Sequence, residues 1–204
     1  SRLRLKTCGE ESSPDSKPFC YAVCTAGDSI GKTIDTLNKC LQTNLQLQEM
    51  GISQPDSAYS LIMPESYVGL PFMDVDPPEK EKRKKEKAAQ QLKAICEDLR
   101  ERKTGISHLT EGPLPWFFTH IVGGFFEHVL ITDKRFHVVE ERCVKCGICA
   151  NVCPVSDIYR GKGKKPIWLH HDDCLTCFSC YHHCPHHAIE FGRQTQKKGQ
   201  YYYK

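Results

Sequence analysis

The sequence predicts a two-part chain of α+β type. A parallel-stranded α/β unit spans residues 1–112, an apolar connector 113–131, and a cysteine-rich, metal-centred domain 132–204. Three observations carry this. Strand-like and helix-like apolar patterns alternate through the first half. A Phe-rich stretch then interrupts them. Of the 13 cysteines in the chain, eight crowd between Cys143 and Cys184 in one repeated spacing.

Phe19-Cys20-Tyr21-Ala22-Val23-Cys24-Thr25 reads as a short strand, apolar on both faces and therefore buried. Gly27-Asp28-Ser29 breaks it. Ile30, Ile34, Leu37 and Leu41 follow at steps of four, three and four, one face of a helix, with Asp28 or Ser29 as its N-cap. Ala58 to Met63 is a second strand, fenced by Pro55 and Pro64. Pro71, Pro77 and Pro78 punctuate the next loop. Glu79 to Lys103 is a long helix with Ala88, Leu92, Ile95, Cys96 and Leu99 on one stripe and Gly105 as the C-terminal glycine. Its run Lys80 to Lys87 reads as a solvated face of mixed-sign pairs.

Strand, helix, strand, helix implies parallel pairing with a right-handed crossover. Two parallel strands and two helices cannot cover these apolar faces, and a strand apolar on both sides calls for a neighbour at each edge. Leu3-Arg4-Leu5, directly after Ser1, reads as the last turn of a helix. The expectation is that an N-terminal part of the domain is missing from this sequence.

The stretch Leu114 to Ile131 holds Phe117, Phe118, Ile121, Val122, Phe125, Phe126, Val129 and Leu130, but also His120, Glu127 and His128. It is short for a bilayer, so it reads as a packed amphipathic connector rather than a membrane span. The net charge of +3 is too small for a nucleic-acid binder, and no stacking aromatics accompany the lysines of the long helix. An odd cysteine count and the absence of an apolar stretch after Ser1 argue against a secreted disulfide framework, and a reducing cytoplasm is expected.

The first motif is Cys143-x2-Cys146-x2-Cys149-x3-Cys153-Pro154 and the second Cys174-x2-Cys177-x2-Cys180-x3-Cys184-Pro185. Three closely spaced cysteines on a tight loop reach three corners of one 4Fe-4S cube. The fourth opens a following helix, points away from its own loop and completes the other cube. Cluster I then takes Cys143, Cys146, Cys149 and Cys184; cluster II takes Cys174, Cys177, Cys180 and Cys153. Structural zinc, which favours cysteine pairs, is the weaker reading. Gly147 stands in the first triplet where the second has Phe178-Ser179, so the two potentials should differ. His170, His171, His182, His183, His186 and His187 read as decoration of an exposed helix side and its flanks. Two oxidised cubes with their eight thiolates add about four negative charges, turning +3 into about −1.

Residues 132–192 resemble the bacterial two-cluster ferredoxins. The wider order resembles the EFR family ferrodoxins: Cys24-Thr25-Ala26-Gly27-Asp28-Ser29, then Ile62-Met63-Pro64-Glu65-Ser66-Tyr67, the Lys-rich helix, the Phe-rich connector and both cysteine motifs. In that family a flavodoxin-like domain is fused to a two-cluster ferredoxin. The resemblance implies a partial flavodoxin-like α/β fold followed by a bacterial two-cluster ferredoxin fold. It places the loop Thr25, Ala26, Gly27, Asp28, Ser29 beside a flavin ring. The family's Ser/Thr/Gly phosphate loop and its first three strands have no counterpart here, so FMN is expected only in the intact protein.

The function expected is one-electron transfer through two 4Fe-4S clusters to or from redox protein partners, linked to FMN in the intact architecture, an oxidoreductase role suited to an anaerobe. The alternatives are a flavin-dependent iron–sulfur reductase of a small molecule and a non-redox zinc or structural module. No catalytic nucleophile or general-base constellation is recognisable.

Overall fold

The computed structural model describes residues 17–117, 119–120, 123–125 and 131–203. Its first half is a parallel sheet in the order β1-β2-β3, with β1 Tyr21–Ala26, β2 Ser57–Ile62 and β3 Ile106–His108. The register runs Tyr21 opposite Ser57 to Ala26 opposite Ile62, and Ser57 opposite Ile106 to Tyr59 opposite His108. Central β2 is buried from Ser57 to Leu61. β1 is not the doubly buried strand its composition suggests. Its residues alternate between exposed and half-buried, and Tyr21 is 51% exposed. Among the described residues β1 pairs on one edge only, and the face carrying Tyr21, Val23 and Thr25 meets solvent. β3 carries no sequence signal because three residues are too few for a period.

The helices α1 (Thr33–Thr43) and α2 (Leu45–Glu49) follow β1. The N-cap of α1 is Lys32, with no side-chain cap, rather than Asp28 or Ser29. Ile30 and Leu41 are buried, and Leu41, Leu47 and Ile52 form a small core. Asn44 caps α2 by accepting from the Leu47 N–H at 3.2 Å.

Helix α3 (Pro78–Arg100) starts on a proline at its first turn, with Glu79 and Glu81 suited to the positive end of the dipole. Its apolar stripe is narrower than its composition suggests. Ala88 and Ile95 are buried and Ile95 packs on Tyr59 and Leu61, whereas Leu92 is 46% exposed and Cys96 faces solvent. The stop signal is also elsewhere. Arg102 adopts the left-handed conformation (φ +50), with Arg102 N–H bonded to Leu99 O at 3.1 Å and Lys103 N–H to Asp98 O at 3.0 Å, a Schellman ending. Gly105 (φ +75) instead turns the chain into β3, its N–H reaching Asp56 O at 2.8 Å.

The lysine run at the start of α3 stitches elements together. Lys80 and Lys84 reach the Asp76 carboxylate at 2.8 and 2.6 Å, and Lys84 also donates to Gly27 O at 2.6 Å. Lys85 pairs with Glu81 at 2.7 Å and lies over the rings of Tyr201 and Tyr203.

Two three-residue helices, α4 (Pro115–Phe117) and α5 (Gly123–Phe125), fall in the connector. Phe118, Ile121, Val122, Phe126, Val129 and Leu130 lie outside the described residues, as do Leu3, Arg4 and Leu5. Among the described residues no helix is long and apolar enough to cross a membrane.

The cysteine-rich half pairs β4 (Phe136–Val138) antiparallel with β7 (Ile189–Phe191), and β5 (Ile158–Tyr159) antiparallel with β6 (Ile167–Trp168). Short helices α6 (Ile148–Asn151) and α7 (Ser179–His182) occupy equivalent places, each carrying the third cysteine of its triplet, Cys149 and Cys180. Each short helix precedes its fourth cysteine and does not follow it: Cys153 lies in a turn beyond α6, with Ser156 N–H returning to Cys153 O at 3.3 Å.

The core here is aromatic. Phe136, Trp168, Phe178, Tyr181 and Phe191 are buried together, with Phe136 stacked on Trp168 at 5.7 Å. Val68, Tyr67 and Val75 of the loop between β2 and α3 complete it. Lys198 locks that loop by donating to Val68 O at 3.0 Å, Met73 O at 2.7 Å and Leu70 O.

Candidate metal centres

Gly147 and Phe178 are the N-caps of α6 and α7, and both are left-handed, φ +80 and +57. This turn folds each triplet back on itself. A Cβ on Gly147 would stand 2.7 Å from the backbone N of Lys162, so only glycine fits under the β5–β6 loop. Phe178 faces no such neighbour and buries its ring in the aromatic core.

The eight cysteines fall into two sets of four. Cys143, Cys146, Cys149 and Cys184 line one small cavity. Cys153, Cys174, Cys177 and Cys180 line a second. Each fourth cysteine therefore opens on the cavity of the other triplet. Backbone donors aim at the sulfurs: Asp157 N–H to Cys153 Sγ at 3.3 Å, Thr176 N–H to Cys174 Sγ at 3.4 Å, and Ala188 N–H to Cys184 Sγ at 3.2 Å.

The donor chemistry fits an iron–sulfur cube. Burial, reinforced by neighbouring cysteines, pushes the Cys149 thiol up to about 11 and Cys180 well above its usual value. Burial, with Asp157 and Asp133 adding to it, pushes Cys174 to about 11 as well. Thiols so placed ionise only against a multiply positive core that replaces lost water. A single zinc ion would draw its sulfurs to about 2.3 Å. Among the described residues no three Cys, His, Asp or Glu side chains gather tightly enough for one ion, while each set of four lines a cavity of its own.

The second cavity has an acidic margin. Asp133 and Asp157 are both buried, and burial followed by repulsion from Asp133 raises Asp157. His170 Nδ1 lies 2.8 Å from Asp133 Oδ2. The histidines divide. His170, His171 and His186 are exposed, as expected of decoration. His182 is buried, against expectation: its Nε2 donates to Ser66 O at 2.7 Å and its Nδ1 accepts from Tyr201 N–H at 3.2 Å. Burial lowers its pKa, so it bridges the two halves as the neutral ring. His183 stacks on Tyr202 at 4.1 Å.

Residues 128–189 match the family described as the 4Fe-4S dicluster domain. A protein of Porphyra purpurea, described as uncharacterized and encoded between rpl9 and rpl11, is 38% identical over 53 residues, 24% of this chain and 71% of its own length. The chain contains a 4Fe-4S dicluster domain over residues 128–189. A ferredoxin of Streptomyces griseus is 34% identical over 70 residues (33% of this chain, 65% of that one). A ferredoxin of Rickettsia felis is 38% identical over 56 residues (26% and 50%). The chain thus spans between half and two thirds of the length of these two ferredoxins. No solved structure matches.

The loop Thr25 to Ser29 closes β1 and turns towards α1. Gly27 O is bound by Lys84, a Cβ on Gly27 would stand 2.3 Å from Glu65 Oε2, and Ser29 lies against Gly112. The stretch Ala26 to Thr33 has the spacing of a phosphate-binding loop, a signal the residue-by-residue reading passed over. Part of its donor set is engaged internally. Ile30 N–H bonds Thr110 O at 2.9 Å, Lys32 N–H bonds Thr119 Oγ1 at 2.9 Å, Thr33 N–H bonds Ile30 O at 3.2 Å, and Lys32 Nζ pairs with Glu111 at 2.8 Å.

A cleft does open beside the second cysteine set. It is lined by Met63, Pro64, Cys177, His183, Tyr201 and Tyr203 among others, at the carboxyl end of β2.

Proposed function

We propose that the protein is a one-electron carrier. Cys143, Cys146, Cys149 and Cys184 would hold one 4Fe-4S cube, and Cys174, Cys177, Cys180 and Cys153 the other. The observation that carries this reading is the crossed grouping of the cysteines around two cavities, each fourth cysteine facing the other triplet's space. A bound cube supplies a one-electron couple. The chain supplies the rest. The N–H groups of Asp157, Thr176 and Ala188 stabilise negative charge on the sulfurs of Cys153, Cys174 and Cys184, and the aromatic core shields Cys149, Cys180 and Cys184 from water.

A flavin fits less well. The cleft beside Cys177 offers aromatic walls at the carboxyl end of a parallel strand, where ligands of open α/β sheets bind. In the turn Ala26 to Thr33 the N–H groups of Ile30, Lys32 and Thr33 and the Lys32 ammonium are already engaged within the chain, so no step is derived through FMN. The same cleft is what favours the second reading, a reductase of a small molecule. Turnover of candidate acceptors with an artificial donor would support it.

Cys153→Ser tests the carrier reading. Electron paramagnetic resonance of the reduced variant should show loss or conversion of the cluster held by Cys174, Cys177 and Cys180 while the other signal persists. Loss of the neighbouring cluster instead would overturn the crossed assignment.

A further inference from the structure

The two cysteine loops carry opposite charge. From Arg142 to Lys165 there are six basic residues and one acid, the buried Asp157. The second triplet follows Asp172 and Asp173 and has Asp133 and Asp157 at its edge, with no lysine or arginine between 172 and 180. The basic residues are not spread along the chain at random. Arg160, Lys162, Lys164 and Lys165 occupy the exposed loop joining β5 to β6, and that loop lies on the first triplet: Gly163 N–H bonds Lys145 O at 2.7 Å, and the Gly161–Lys162 backbone covers Gly147. Lys165 pairs with Glu140, while among the described residues Lys145, Lys162 and Lys164 carry no ion pair.

An apolar patch adjoins these cations. Tyr159 and Ile167 are cross-strand partners on the β5–β6 hairpin, 58% and 46% exposed, and Val144 of the triplet is 58% exposed. Arg160 lies 5.5 Å from the Tyr159 ring. Apolar centre and charged rim is the anatomy of a protein-binding surface. Lysines needed only to balance a cluster's negative charge would have no reason to stand in water, where screening weakens their hold on a buried group. Exposed lysines act chiefly on an approaching molecule.

We propose that the hairpin loop Arg160–Lys165, with Lys145 and the patch of Tyr159, Ile167 and Val144, docks an acidic redox protein. One electron leaves the reduced cluster of Cys143, Cys146, Cys149 and Cys184 and reduces a one-electron centre in the partner. This rests on the carrier reading above. The second cluster, with its acidic margin and Cys177 at the cleft, is then the other station of the relay.

The test uses the full chain, purified without oxygen, checked for iron and sulfide, reduced with dithionite and desalted. Stopped-flow mixing with two probes follows: acidic plastocyanin, whose cupric ion takes one electron to become cuprous, and basic cytochrome c, whose ferric haem becomes ferrous. The rate with plastocyanin should fall at least about tenfold between about 20 mM and about 500 mM salt, while the rate with cytochrome c should stay level or rise. Lys162→Glu with Lys164→Glu should slow plastocyanin about tenfold at low salt, leave the high-salt rate unchanged and speed cytochrome c. A flat salt profile in the unmodified protein, or equal slowing of both probes in the variant, overturns the docking surface and leaves the carrier reading standing. Protein that holds iron and sulfide yet cannot be reduced overturns both.

Discussion

Gly147 and Phe178 occupy the same turn and should respond to substitution for opposite reasons. Gly147→Ala puts a Cβ 2.7 Å from Lys162 N at a left-handed φ of +80. The expected loss is about 1–3 kcal/mol, read as a lower unfolding midpoint and faster chelation of iron from the first site. Phe178→Ala keeps the Cβ and so leaves the left-handed turn as it is, but it empties the centre of the aromatic core, and should cost about 3–5 kcal/mol by the same measurement. Asp76 gives a pH test. Burial alone would raise its pKa, but Lys80, Lys84 and the Glu65 N–H hold the carboxyl down at about 2. A carboxylate depressed in the folded state contributes stability that is present above about pH 4 and lost as pH falls towards 2. Asp76→Asn should remove roughly 2 kcal/mol at pH 7 and flatten that acid limb, checked by denaturant unfolding at stepped pH.

At the scale of elements, the loop between β2 and α3 is the fastening between the two halves. Tyr67 packs edge-on against Phe178 at 5.3 Å, Ser66 O accepts from His182, and Lys198 binds three carbonyls of the loop. Little of this was legible in the sequence, where the prolines were the loop's main local signal. Long-range contacts between residues some 125 positions apart leave no periodicity to read. Lys198→Met keeps the aliphatic stem but leaves the Val68, Leu70 and Met73 carbonyls short of a donor. It should cost about 2 kcal/mol and raise amide hydrogen exchange across the loop without touching exchange in β2. The strands and long helices were easier to read, since β2 and α3 are long enough to show their periods. Three-residue β3 was not, and the doubly apolar composition of β1 misled because the sheet leaves one of its faces in water.

At the scale of the whole molecule, the cysteine-rich half has two supports, metal and aromatic packing. Counting Val and Ile alone suggests a core too small to stand without metal. The structure adds Phe136, Trp168, Phe178, Tyr181 and Phe191, which sequence reading overlooked because aromatics scattered through loops carry no repeat. Metal removal should still unfold residues 136–192, because the cysteines lining each of the two cavities would be left around empty space. Near-ultraviolet circular dichroism should lose its aromatic signal on chelation, while the signal of β2 and α3 in the far ultraviolet persists. The spacing of the eight cysteines was the most legible feature, since a doubled triplet with a distant fourth residue has few geometric solutions. The exposed lysines over the first site were less so, because their placement depends on how a hairpin folds back. The most direct measurement is the metal content of anaerobically purified protein: two cubes require about eight iron and about eight acid-labile sulfide per chain, whereas zinc without sulfide would contradict the reading outright.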